Sequence, residues 1–248
     1  MSCADLPDWY LRNRIAVLDV RSAAFQRARD EVMPTGYDPN VCLRRLVKAG
    51  HIRRIRAGLY VVRDPARQTP AIAVASGIFA GVTHYVTTDA ALAYHGLIDQ
   101  PIVTITVVLP RVRRSFAIDP ATTLRPVTLD EKRIRNADAY QTTVDGLSIR
   151  VASREQAAVD ALAEPRWMIY GDLMPEVLAA FSDDEIERTA DGALARTTAA
   201  AQRLGYLLEE AQRPLPSGLA GLRPVRAVLL RPQNRSRGPY STRWRVYG

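Results

Sequence analysis

The chain is poor in the residues that carry most metal and cofactor chemistry. Only two cysteines, Cys3 and Cys42, and three histidines, His51, His84 and His95, occur in 248 residues. Two cysteines make no disulfide framework, a usage that fits a reducing cytoplasm. The histidines share no ligand spacing with one another or with the cysteines, so neither a metal nor another cofactor is expected. A phosphate-cradling glycine loop and a Gly-x-Ser-x-Gly elbow are both missing. No apolar run reaches the roughly 18 residues that span a bilayer. The longest nearly uncharged stretch, 71–82, reads instead as a buried helix, and no membrane partner is expected. Asp5, Pro7 and Asp8 stand where a secretory signal needs apolar residues. After Glu210 there is no acidic residue at all.

What the chain does have is unevenly placed positive charge. At 47% hydrophobic it can bury a core, and its length suits two modest domains. The net charge of +8 suggests a polyanionic partner, and its position sharpens the point. Residues 1–67 hold 13 Lys and Arg against 7 Asp and Glu, so they carry +6 of the total. Between Arg44 and Arg67 there are eight basic residues and one acid, Asp64.

The first segment reads as three helices and a hairpin. Apolar residues at mixed three and four spacing predict helices over 9–20 and 22–33, the second broken by Met33-Pro34-Thr35-Gly36. Asp38-Pro39 offers an N-cap followed by proline at the first helical position, and Gly50 suits the left-handed residue beyond the helix end. Strands are expected at 52–55 and 59–62 around Arg56-Ala57-Gly58. This order is that of a winged helix. The polar, proline-bracketed stretch 64–70 reads as a linker. Beyond it come a helix over 71–79 and a short one capped by Thr88 or Asp89 and ending at Gly96. Strands follow at 103–109, 124–127, 141–144 and 147–151, the last two joined by an Asp145-Gly146 turn. Ser153 with Gln156 makes a capping box for a helix over 154–163. Further helices are expected at 172–181, 182–191 and 193–212, with strands at 227–230 and 243–247. The expected fold class is α+β: an N-terminal winged helix-turn-helix domain over 1–67, then a larger mixed α+β domain over 68–248.

On a helix starting at Pro39, Leu43, Leu46 and Val47 share one arc, while Asn40, Arg44 and Lys48 line the far side with Arg45 beyond them. A recognition helix needs this division. Its apolar face packs on the preceding helices while Arg and Asn read guanine and adenine in the major groove. Arg53, Arg54 and Arg56 beside the glycine turn suit phosphates or an adjacent minor groove. The expected partner is double-stranded DNA. A solvated amphipathic helix beside an exposed hairpin is the plainer alternative.

The stretch from Leu43 to Tyr60, Leu-Arg-Arg-Leu-Val-Lys-Ala-Gly-His-Ile-Arg-Arg-Ile-Arg-Ala-Gly-Leu-Tyr, resembles the winged-helix signature of AbiEi-type antitoxins. The likeness continues at Thr87 to Gly96 with Leu97 and Gln100, at Ser153 to Leu162 ahead of Pro165, and at Arg203-Leu204-Gly205-Tyr206-Leu207-Leu208-Glu209. It covers roughly residues 40–210. The resemblance implies an antitoxin that represses its own promoter through the N-terminal domain and neutralises a nucleotidyltransferase-like toxin through the C-terminal one. It supplies no toxin-contacting residues.

Two other functions compete: a ligand-sensing winged-helix regulator without a toxin, and a Mg²⁺-dependent nuclease. For the nuclease, Asp130-Glu131-Lys132 has the local look of a metal site, with Asp119 or Asp145 as partners. The triplet reads equally as a solvated turn, and no catalytic residue is expected. His95 before Gly96 suits a helix end. The apolar positions of the later motifs read as core rather than interface. The tail arginines 213, 223, 226, 231, 235, 237, 243 and 245, and the cluster Arg111, Arg113 and Arg114, read either as solvated charge or as a further contact with DNA or toxin.

Overall fold

The computed structural model describes residues 3–33, 36–64, 68–232 and 238–248. The expected break at Pro34-Thr35, residues 65–67 of the expected linker, and Arg235 and Arg237 lie outside the described residues. The architecture is α+β, and its contacts divide into two compact units. The first contains Met1–Val86, Val107–Arg135 and Gln141–Val151; the second contains Thr87–Thr106, Asn136–Tyr140 and Ala152–Gly248. Of the expected linker, Asp64 and residues 68–70 are described, and they fall in the first unit.

Helix α1 spans Asp5–Arg12, shorter than the helix expected over 9–20. Arg14 turns left-handed (φ 59°), and the chain then enters strand β1, Val17–Asp19. A short apolar run such as Ile15 to Leu18 suits helix and strand alike, and here pairing with a distant strand decides. Helix α2, Ala23–Val32, starts where Ser22 caps it, its hydroxyl accepting from the Phe25 amide at 3.1 Å. Helix α3, Pro39–Lys48, begins as expected, with the Asp38 carboxylate accepting from the Asn40 amide at 2.8 Å. Strands β2, Ile52–Arg56, and β3, Leu59–Val62, turn at Gly58, whose φ of 74° favours a residue without Cβ. The sheet runs β1-β3-β2 and is antiparallel throughout.

One core cluster holds this module together, and all its residues precede residue 63. Leu6, Trp9, Tyr10, Leu18, Phe25, Leu43, Leu46, Ile52 and Val62 are among its buried members. Each large apolar side chain so buried contributes about 1.5–3 kcal/mol. Val47, expected in the core, is 39% exposed, and Cys42 takes the inward place on that turn. Cys3 and Cys42, expected to form no disulfide framework, are joined as one disulfide. Their sequence separation of 39 carries no signal of the pairing; packing of α3 against the chain's start creates it.

The chain continues through α4 (Ala71–Gly77), β4 (Tyr85–Thr87), α5 (Thr88–Tyr94), β5 (Thr104–Leu109), β6 (Phe116–Ala117), β7 (Thr123–Thr128) and α6 (Glu131–Asn136). Then come β8 (Ala139–Val144), β9 (Leu147–Ala152), α7 (Arg154–Ala163), α8 (Met174–Ala179), α9 (Asp183–Arg196), α10 (Thr198–Glu210) and α11 (Ser217–Ala220). Three short strands follow, β10 (Val228–Leu229), β11 (Tyr240–Ser241) and β12 (Val246–Tyr247), forming a sheet ordered β10-β12-β11. A six-stranded sheet has the order β6-β7-β5-β4-β9-β8, and most of its residues belong to the first unit. Its hairpin β8–β9 turns through Asp145 and Gly146, both at positive φ (48° and 78°), the two-residue turn that Asp-Gly favours.

In the second unit α7 is central. Residues Ala157 to Leu162 are all buried, and it packs on α5, α9 and α10. Only half of its expected capping box forms. The Ser153 hydroxyl accepts from the Gln156 amide at 3.1 Å, but the Gln156 side chain turns to Asp160 and to the Asp138 amide. Neither Thr88 nor Asp89 caps α5, whose N-cap is Thr87. The helices expected at 182–191 and 193–212 instead meet at Thr197, which is extended (φ −161°) and caps α10 through its hydroxyl.

Candidate nucleic-acid interface

On α3, Cys42, Leu43 and Leu46 face the core while Asn40, Arg44, Arg45 and Lys48 are all exposed. The helical period alone separates these two sets, and the Asp38 cap fixes where it starts. The Arg44 Nε donates back to the Asn40 carbonyl at 3.3 Å, so these two residues lie along one line of the helix. The Arg45 guanidinium sits 5.7 Å from the centre of the Tyr37 ring. In the hairpin Arg54 and Arg56 are exposed and Arg53 half-buried. No acidic residue forms an ion pair with any of these seven cationic or amide side chains among the described residues.

Sequence reasoning left the cluster at Arg111, Arg113 and Arg114 ambiguous, and folding gives it neighbours. The Arg56 guanidinium lies 4.7 Å from the Phe116 ring centre, which brings the hairpin beside the loop that carries these arginines. Arg21, Arg27, Arg56, Arg113 and Arg114 line one cavity of about 840 Å³. Among the described residues its one acid, Asp19, is engaged by Arg21 at 3.3 Å. No sequence spacing connects residues 21, 56 and 113, so only an aromatic at 116 beside an arginine-rich loop could have hinted at it.

Two of the carboxylates considered for catalysis, Asp130 and Asp119, cap backbone amides. The Asp130 carboxylate accepts from the Arg133 amide at 2.9 Å and so starts α6, where a plain solvated turn was expected. Asp119 accepts from the amides of Ala121 and Thr122, each at 2.8 Å. No group of three or more His, Cys, Asp or Glu among the described residues could hold a metal ion. His84 pairs with Ser76, an arrangement familiar in nucleophilic sites, with Oγ and Nε2 at 3.0 Å. Both side chains are at most 5% exposed. The His84 Nδ1–H donates to the Val82 carbonyl, and Ser76 accepts from the Arg150 amide. Every polar atom is thus satisfied and closed to a substrate.

Burial, with the nearby Arg150 charge, holds the His84 pKa below the usual 6.5. The unfolded chain consequently binds this proton more readily than the folded one. The His84 contribution is therefore intact above about pH 6.5 and declines as pH falls below it toward the folded value. Thermal melts at pH 7.5 and pH 5.5 should show a drop in Tm for the native chain that His84→Gln reduces. An equal drop in both proteins would show that His84 is not responsible.

No helix among the described residues is long and apolar enough to cross a membrane. A family model, the AbiEi antitoxin C-terminal domain, matches residues 79–210, more than half of the chain. The chain belongs to the AbiEi antitoxin family. That membership assigns it an antitoxin role in a toxin–antitoxin system. Among solved structures it is similar to the RV2827C protein from Mycobacterium tuberculosis, at 16% identity and a TM-score of 0.61, covering 98% of this chain and 90% of that one. The likeness is one of fold. No curated protein is matched by the sequence.

Within the matched region of this AbiEi-family chain, the recurrent motifs serve the interior of the second unit. The Thr87 hydroxyl donates to the fully buried Asp160 carboxylate at 2.8 Å, joining the second motif to the third. Asp89 accepts from the amides of Ile169 and Tyr170, both at 2.9 Å. The His95 Nε2–H donates to the Ala152 carbonyl at 2.8 Å. In the fourth motif Arg203 is 6% exposed, donating from Nη1 to the Leu162 carbonyl at 2.7 Å and from Nε to that of Leu229 at 2.8 Å. A Cβ on Gly205 would overlap the ring of buried Trp244.

Part of the arginine-rich tail is likewise structural. Arg213 donates to the Leu178 and Phe181 carbonyls at 2.7 and 3.0 Å, satisfying groups at the end of α8. Arg231 pairs with Asp172 and Arg243 with Glu209. Arg223 and Arg226 remain exposed.

Proposed function

We propose that this AbiEi-family antitoxin represses its own promoter by binding double-stranded operator DNA through a winged-helix module within residues 1–67. Residues 68–248 neutralise a nucleotidyltransferase-like toxin, and both activities belong to the cytoplasm. The observation that carries the DNA half is the two-sided α3: Cys42, Leu43 and Leu46 in the core, with Asn40, Arg44, Arg45 and Lys48 in solvent. The element order α1-β1-α2-α3-β2-β3, with the sheet ordered β1-β3-β2, is what a winged helix requires and supports the reading. In it α3 enters the major groove, where Arg44 suits guanine and Asn40 suits adenine. Arg53, Arg54 and Arg56 on the hairpin suit phosphates, and Arg113 and Arg114 add charge beside them.

The toxin half rests on family membership. Because Thr87, Asp89, Asp160 and Arg203 of the later three motifs are engaged in internal hydrogen bonds, the toxin-facing residues are expected among exposed positions outside those contacts. The test is co-expression with the product of the adjacent gene, followed by pull-down, growth measurement and a promoter reporter. Growth should be rescued and the reporter repressed. Growth arrest that persists despite soluble, folded antitoxin would overturn the toxin half, and an unrepressed reporter would overturn the DNA half.

A further inference from the structure

Cys3 lies in the turn ahead of α1, half-exposed, while Cys42 lies fully buried on the inward face of α3. They are joined with Cα atoms 5.6 Å apart, inside the range that disulfides span. The bond closes a 39-residue separation that includes all of α1, β1 and α2, and it fastens the start of the chain to the helix whose other face carries Asn40, Arg44 and Lys48. A single disulfide is unusual for a protein working in a reducing compartment, where such bonds are mostly transient and redox-sensing. We propose that Cys3 and Cys42 form a thiol–disulfide switch that sets how firmly α3 is held, and through it the affinity for DNA. The effect on α3 stands by itself, and the effect on affinity rests on the DNA-binding reading above.

The oxidant is a small disulfide of the glutathione class, and accessibility orders the steps. The half-exposed Cys3 thiolate attacks one sulfur of oxidised glutathione, breaking its S–S bond, forming a mixed disulfide and releasing one glutathione thiolate. The Cys42 thiolate then attacks the Cys3 sulfur and expels the second glutathione thiolate. Two cysteines lose two electrons, one glutathione disulfide gains them, and the two cysteine protons pass to the released thiolates. In the oxidised state the unfolded chain is constrained by the closed loop. In the reduced state α3 keeps its core contacts but loses its tether.

The experiment uses the full chain equilibrated in oxidised glutathione or in dithiothreitol. Non-reducing peptide mapping should find Cys3 linked to Cys42 in the first and free thiols in the second. The oxidised protein should melt roughly 5–10 °C higher. Amide exchange in α3 should be slower, and the Kd for promoter DNA lower by about threefold or more, since a helix held in place only part of the time binds in proportion to that fraction. Cys3→Ser, which alters the accessible partner and spares the buried one, should keep the values of the reduced protein in both conditions. Glutathione retained on Cys3 without a Cys42 link would overturn the switch, as would a link that leaves melting and α3 exchange unchanged. If melting and exchange respond but neither form prefers promoter over scrambled DNA, the switch on α3 stands and the DNA-binding reading falls.

Discussion

Replacing Arg44, Arg45 and Lys48 together by alanine is expected to abolish selective promoter binding, raising Kd at least about a hundredfold at near-physiological salt. All three are exposed on α3, opposite Leu43 and Leu46, so the loss should leave the fold intact. Exposed substitutions of this kind usually change stability by less than about 0.5 kcal/mol each. Unchanged melting would then separate lost contacts from lost structure. Single changes should differ in kind. Asn40→Ala and Arg44→Ala, at base-reading positions, should each cost about 1–3 kcal/mol on the operator and little on unrelated DNA. Arg54→Ala and Arg56→Ala should weaken all sequences alike and lower the salt slope by about one per lost phosphate contact. Arg56 also rests on Phe116, so its replacement frees that ring as well. A folded triple variant that shifts promoter DNA as well as the native chain would end the assignment of α3 as the reading helix.

Arg203→Met should destabilise the protein by about 2–3 kcal/mol, lowering Tm by roughly 4–12 °C, without weakening operator binding by the folded chain. The arginine is buried, and two of its nitrogens hold the carbonyls of Leu162, at the end of α7, and Leu229. Removing the donor leaves both carbonyls without that partner in an interior where water does not replace it. A partial offset comes from no longer burying a cation. Desolvation opposes that charge strongly enough to bring the Arg203 pKa down to about 10. Methionine fills comparable space, so cavity formation adds little. Arg203→Lys should fall between the two, because a single ammonium cannot fork to both carbonyls. Should Arg203→Met lose toxin rescue at unchanged Tm, the residue would be a toxin contact and its structural role mistaken.

Part of this was legible before folding because it is local. Ser22, Asp38 and Ser153 start their helices through amides two or three residues away, and Asp145-Gly146 turns its hairpin through its own φ angles. The two faces of α3 follow from the helical period, and the charge of residues 1–67 follows from composition. The motif order pointed to the AbiEi family without indicating that Asp160, Asp89 and Arg203 are interior hydrogen-bonding groups. That distinction depends on burial, and burial depends on partners far away along the chain.

The sequence by itself determined where α2, α3 and α7 begin, which face of α3 is polar and where positive charge concentrates, since each depends on interactions within a few residues. Tertiary structure alone decided that residues 17–19 pair with β3 instead of extending α1, and that Val47 faces outward with Cys42 inward. It decided as well that Asp130 caps a helix, that Arg56 meets Phe116 and that Cys3 meets Cys42. Strand pairing, stacking and disulfide formation join groups far apart along the chain, and their gain appears only once the intervening loop has closed.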